Sequence, residues 1–159
     1  DGCTAWVQQG MVTLQKQVSQ KALDDGQRAL TRQQGRLDDM NREKTRAENG
    51  LVNTAQKSDK ATQDKVEAEK QLEDLNSDTS LPADSAAAVK AEKDRGKQRE
   101  KLQDRIARLA HNIDAAKKKT DDLNWAIKKN AEDQATQQQA VDRQQTVVSD
   151  LQEKLQAIH

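Results

Sequence analysis

The chain contains no phenylalanine and no tyrosine, and its two tryptophans bring the aromatic share to only 1%. A domain of 159 residues ordinarily closes its core around several large rings, so this composition excludes a compact globule with a deep interior. One cysteine excludes an internal disulfide, and that cysteine with two distant histidines leaves no ligand set for zinc. No apolar run approaches the ~20 residues that a membrane-crossing helix needs. Charge of one sign is lacking too. The 27 basic and 27 acidic residues are interspersed and cancel. The only lysine run, Lys117 to Lys119, is followed four residues on by Asp121 and Asp122, so it reads as a locally paired, solvated surface. Without a basic stripe or stacking aromatics, nucleic acid is not an expected partner.

What the chain does have is a seven-residue repeat. Leu102, Ile106, Leu109, Ile113, Ala116, Thr120, Leu123 and Ile127 step by four and three, and after a polar interval the same frame reaches Val141, Val148, Leu151, Leu155 and Ile158. This is the a/d seam of a coiled coil. With 34% charged and 33% hydrophobic residues the composition also fits disorder, but disordered tracts do not hold Leu and Ile in one frame for so long. The first half carries a stripe of its own: Leu23, Leu30, Leu37, Met40, Ala47, Leu51, Thr54, Ala61, Ala68, Leu72 and Leu75.

Between the stripes, residues 76–85 form the only dense cluster of turn formers and hold the single proline, Pro82, which fits a first helical turn but not an interior. Ser80, with Asp84 as second choice, is the expected N-cap of the following helix. The fold class expected is therefore all-α: a long antiparallel two-helix coiled-coil hairpin over 1–159, with arm one about 4–76, a turn about 77–82 and arm two about 83–158. Each arm would run ~110 Å at 1.5 Å per residue. If the chain folds symmetrically about Ser80, facing residue numbers add to 160, pairing Leu37 with Leu123, Leu51 with Leu109 and Thr54 with Ile106. The same register sets Lys65 against Arg95 and Ala61 against Arg99, and a second polar interval sets Gly26 against Gln134 and Leu30 against Asn130. These layers read chiefly as soft stretches of a bending rod, with register-setting by exclusion of slipped pairings as the second reading. Val7, Met11, Leu14 and Val18 form an earlier stripe that falls out of step before Leu23 and is expected to meet Val141, Val148, Leu151 and Leu155.

Three places stand out as candidate sites. Gly2-Cys3-Thr4 has the look of a lipoprotein processing site with Cys3 as lipid acceptor, although Asp1 is not the small or aliphatic residue usual two before the cysteine. The Asp1 start, without methionine, implies a processed or excised chain. Trp125 takes the f position, farthest from the partner helix, and with Ala126 and Val147 widens the apolar face, marking an interface with a second hairpin or another protein. Two hairpins joined there would make a four-helix assembly. Ser77, Asp78, Thr79, Ser80 and Pro82 at the turn could serve recognition, although turns need such residues for geometry alone. No catalytic, cofactor-binding or metal site is expected: His111 faces outward, His159 is terminal, and neither has a nucleophile or second ligand at useful spacing.

The expectation for function is a non-enzymatic structural or adaptor coiled coil. It would be a rigid spacer or scaffold, periplasmic or in the cell envelope if Cys3 is lipidated and otherwise cytoplasmic. Its expected partner is itself or another protein, with no small-molecule substrate. In composition and expected shape the chain resembles the receptor-binding hairpins of colicin-type toxins and the hairpins of efflux adaptor proteins. That resemblance is architectural, without a shared motif or the adaptors' lipoyl-like domain. It implies the alternative, a recognition arm whose tip binds a receptor or a secretion or efflux partner. A secretion-system stalk or chaperone of the hairpin type is a third class, but its cargo groove would need more exposed hydrophobic surface.

Overall fold

The computed structural model describes residues 2–158; Asp1 and His159, which entered the lipidation and catalytic readings, lie outside them. Two α-helices, α1 (Gly2–Ser77) and α2 (Ser85–Gln156), pack against each other as a helical hairpin, with no strand among the described residues. Helices this long persist because each presents a continuous seam to the other; propensity alone would not hold the four glycines inside α1 at 10, 26, 35 and 50. The half-buried and buried positions of α1 run Leu23, Gly26, Leu30, Gln33, Leu37, Met40, Lys44, Ala47, Leu51, Thr54, Ser58, Ala61, Lys65, Ala68, Leu72 and Leu75, an unbroken alternation of three and four. On α2 the same alternation runs from Arg99 through Leu102, Ile106 and Leu109 to Leu155, and it includes Asn130, Gln134, Gln137 and Gln144. Leu23 is buried and its neighbour Ala22 half-buried.

The register differs from the symmetric one. The amides of Asn130, Gln137 and Gln144 reach the main-chain oxygens of Met40, Gln33 and Gly26, pairs whose numbers each add to 170. Gly26 lies against Val148, and Gly50 lies against Leu123, the residue expected opposite Leu37. Facing positions thus add to roughly 174 rather than 160, a displacement of about two heptads along α2 that keeps the same residues in the seam. The connection between the helices explains the shift. Residues 78–84 are irregular, and seven residues of extended chain cover about 23 Å where seven helical residues cover about 10 Å. They run beside the first turns of α2, so that Arg95 meets Ser80 and Arg99 meets Asn76. Arg95 and Arg99 therefore do not face Lys65 and Ala61, and the expected clash of cations does not occur.

The helix start is also corrected. Asp84 is the N-cap of α2: its carboxylate accepts from the Ala86 N–H at 3.2 Å and its carbonyl from the Ala88 N–H at 2.8 Å. Ser80 has another task, described below, and Pro82 precedes the helix rather than opening it.

The chain divides into two compact units. The turn unit, 47–126, has an apolar seam in which Ala68 and Thr54 are buried and Leu102, Ile106, Leu109 and Ile113 half-buried. The terminal unit, 2–46 with 127–158, buries Leu23, Val141 and Val148 together with Asn130. In this unit α2 ends at Gln156, across from about residue 18 of α1. Val7, Met11, Leu14 and Val18 therefore do not meet Val141, Val148, Leu151 and Leu155; all four are exposed.

Candidate functional site

Three arrangements carry chemistry, and the turn is the first. Asp78 follows the last residue of α1, its N–H bonded to the Asp74 carbonyl at 3.1 Å. Its Oδ1 accepts from the Ser80 hydroxyl at 2.7 Å and from the Ser80 N–H at 3.1 Å, closing a tight side-chain turn. Arg95 donates to the Ser80 carbonyl, lies 3.5 Å from the Asp78 carboxylate and is 4.0 Å from Glu92. Arg99 donates to Asn76 Oδ1 at 3.1 Å and to Glu92 at 3.1 Å. The Ser80 hydroxyl, the Ser80 N–H and then the Arg95 charge hold the Asp78 carboxyl below its ordinary pKa of 3.8. Of the turn residues singled out in the sequence, Asp78 and Ser80 are thus engaged in shaping the turn, and the Ser77 hydroxyl donates to the Glu73 carbonyl at 2.9 Å. Thr79 and Pro82 are exposed, as is Leu81 beside them.

The second arrangement is the amide ladder of the terminal unit. Asn130 Nδ2 donates to Met40 O at 2.9 Å, Gln137 Nε2 to Gln33 O at 2.9 Å and Gln144 Nε2 to Gly26 O at 3.0 Å. Gln134 Nε2 donates to Asn130 Oδ1 at 2.6 Å. Three donors one heptad apart on α2 thus meet three acceptors one heptad apart on α1, and the ladder satisfies most of what the seam buries. Gln33 Oε1 is the exception, buried without a hydrogen-bond partner. The sequence reads the interval around Asn130 and Gln134 chiefly as a soft stretch because the acceptors are main-chain oxygens, which no residue pattern displays. The heptad spacing of Asn130, Gln137 and Gln144 was the available signal.

The third arrangement is the N-terminal segment of α1. Cys3 is exposed there, on the same side as Val7 and Met11 at helical spacing. Trp125 is 66% exposed and Ala126 half-buried in the turn unit, and Val147 is exposed in the terminal unit.

Shallow grooves lie along the helices, one of them over the small seam residues Thr54, Ala61 and Ala116. No group of three or more His, Cys, Asp or Glu is placed to hold a metal ion, and no helix is long and apolar enough to cross a membrane, among the described residues. The exposed ion pairs, Arg28 with Asp25, Arg42 with Asp39 and Lys65 with Glu69, are local to α1 and contribute little each. No known protein family, curated protein or solved structure matches this chain.

Proposed function

We propose that the chain is a non-enzymatic structural or adaptor coiled coil, a hairpin that serves as a spacer or scaffold. The observation that carries this reading is the continuous seam along both helices, in which the amides of Asn130, Gln137 and Gln144 are committed to holding the partner helix. A side chain occupied with a facing carbonyl is a poor reactant, and a two-helix layer provides no desolvated cleft to tune one. Cys3, if lipidated, ties the scaffold to the cell envelope. Mass spectrometry of the protein from its native membrane fraction should then find lipid on Cys3, and Cys3→Ser should release it.

One observation favours the alternative, a recognition arm. Leu81, a large apolar residue, is exposed at the turn between Thr79 and Pro82. The two readings separate in a host that lacks its own copy. A spacer loses rescue when one matched heptad is deleted from each helix and keeps it when Thr79, Leu81 and Pro82 are replaced with Asp78, Ser80, Asp84 and Arg95 retained. A recognition arm shows the reverse pattern.

A further inference from the structure

The N-terminal stripe is the largest apolar feature left uncovered. Trp6 is 82% exposed, Val7 59%, Met11 65%, Leu14 61% and Val18 62%, and among residues 2–18 only Val12 is half-buried. Two causes combine. Helix α2 ends at Gln156, and the stripe sits out of frame with the seam. At 3.6 residues per turn, Val7, Met11, Leu14 and Val18 point roughly a third of a turn away from Leu23, Gly26 and Leu30. An apolar face of this extent on a highly charged chain needs an occupant.

We infer that residues 3–18 of α1 form an antiparallel, tail-to-tail interface with the same segment of a second copy of this chain. Three observations select that occupant. The stripe is continuous with the interface already present, because Val18, Ala22, Gly26 and Leu30 descend in steps of four from the exposed face into the intramolecular seam. The stripe is self-complementary when reversed: pairs adding to 25 set Val7 against Val18 of the second copy and Met11 against Leu14 of the second copy, so a positions meet d positions. The segment also carries a single charge, Lys16, which this pairing places beside Gln9 of the second copy, so two copies approach without like charges meeting. The offset of about a third of a turn lets the second copy's helix lie beside α2 rather than on it.

The area suffices for a weak but specific dimer. The exposed stripe amounts to roughly 500 Å² per copy, so the pair buries about 1,000 Å², the lower bound of specific interfaces. A membrane surface is the less favoured occupant. A helix lying on anionic lipid carries several Lys or Arg along its polar face, and this one has glutamines and one lysine. The inference does not depend on the spacer reading, since a recognition arm could pair in the same way.

The test uses the full chain under reducing conditions. Sedimentation from 1 to 100 µM should show a monomer–dimer equilibrium, and Met11→Glu/Leu14→Glu should raise its dissociation constant by at least ~100-fold, the effect of two central interface residues. Helicity should hold, because both side chains are exposed in the single hairpin. Orientation is read separately in a Cys3→Ser background. Val7→Cys and Val18→Cys proteins should form a disulfide with each other when mixed and oxidised, and neither should do so alone. A monomer at every concentration, a dimer untouched by the double substitution, or Val18→Cys cross-linking to itself would overturn the proposal. So would a monomer that co-sediments with phosphatidylglycerol vesicles, which would assign the stripe to a lipid surface.

Discussion

In the terminal unit three amide side chains one heptad apart reach main-chain oxygens of the facing helix, whereas in the turn unit the seam is mostly Leu, Ile, Ala and Thr, with Ser58 and Lys65 among them, and the polar contacts between the helices and the turn gather at Arg95 and Arg99. An apolar heptad seam packs almost as well after a slip of seven residues, so burial alone leaves the pairing degenerate. An amide that must find a carbonyl is less tolerant, because a slipped partner leaves a buried polar group unpaired. The terminal unit carries its register in its seam, and the turn unit draws it from the clasp that Arg95 and Arg99 make on residues 76–80.

The strongest way to break this contrast is to remove the ladder. Asn130→Leu/Gln137→Leu/Gln144→Leu should raise stability by roughly 3–5 kcal/mol in chemical denaturation, since each leucine buries apolar surface where an amide now sits. The same variant should broaden the pairing, with label distances across the terminal unit splitting into more than one population. Greater stability with a single unbroadened register would show that the ladder is not what specifies it.

Gln33 sharpens the comparison from within the terminal unit. Its main-chain oxygen serves the ladder while its side-chain Oε1 is buried and unsatisfied. Gln33→Leu removes the orphan acceptor and keeps the main-chain contact, so it should stabilise by about 1–2 kcal/mol without broadening the register.

How far these features were legible depends on which atoms carry them. Membership of the apolar seam followed from side-chain type, and Leu102 through Ile127 lie where the repeat puts them, whereas polar members such as Gln33 and Gln144 did not show themselves by type. The position of the turn was legible from its residues. The register was not, because the assumption of symmetry about Ser80 counted the seven irregular residues as if each spanned a helical rise. Ser80 and Asp84 are both good caps by type, and the choice between them rested on Asp78, which holds Ser80 in its own turn. The N-terminal stripe was legible as a stripe, but its covering was not, since that depends on where α2 ends opposite it.

Two glycines, one from each unit, show a smaller contrast between an open face and the seam. A methyl at Gly35 of the terminal unit meets nothing within 4 Å, whereas at Gly50 of the turn unit it would lie 3.2 Å from Leu123 Cδ1. Gly35→Ala should therefore stabilise by ~1 kcal/mol, the helix-propensity difference, and Gly50→Ala should gain less because Leu123 must move. Equal gains in thermal denaturation would mean that Leu123 is not packed against α1.

The smallest effect is confined to the turn. The folded Asp78 titrates below 3.8, so its charge favours the folded turn above that pH and the contribution disappears as pH falls through the lowered value. Amide exchange at Ser80, whose N–H donates to Asp78, should accelerate on acidification relative to its intrinsic rate, and Asp78→Asn should flatten that dependence.

The register is tested most directly by electron-spin distances within the turn unit, comparing labels at 66 and 108 with labels at 52 and 108 in a Cys3→Ser background. Val52 and Val66 are exposed and stand two heptads apart on one face of α1. A pairing sum near 174 sets 66 across from 108 and displaces 52 by ~21 Å along the axis, so the 66/108 distance should be the shorter by roughly 10 Å. A shorter 52/108 distance would restore the symmetric register and contradict the account.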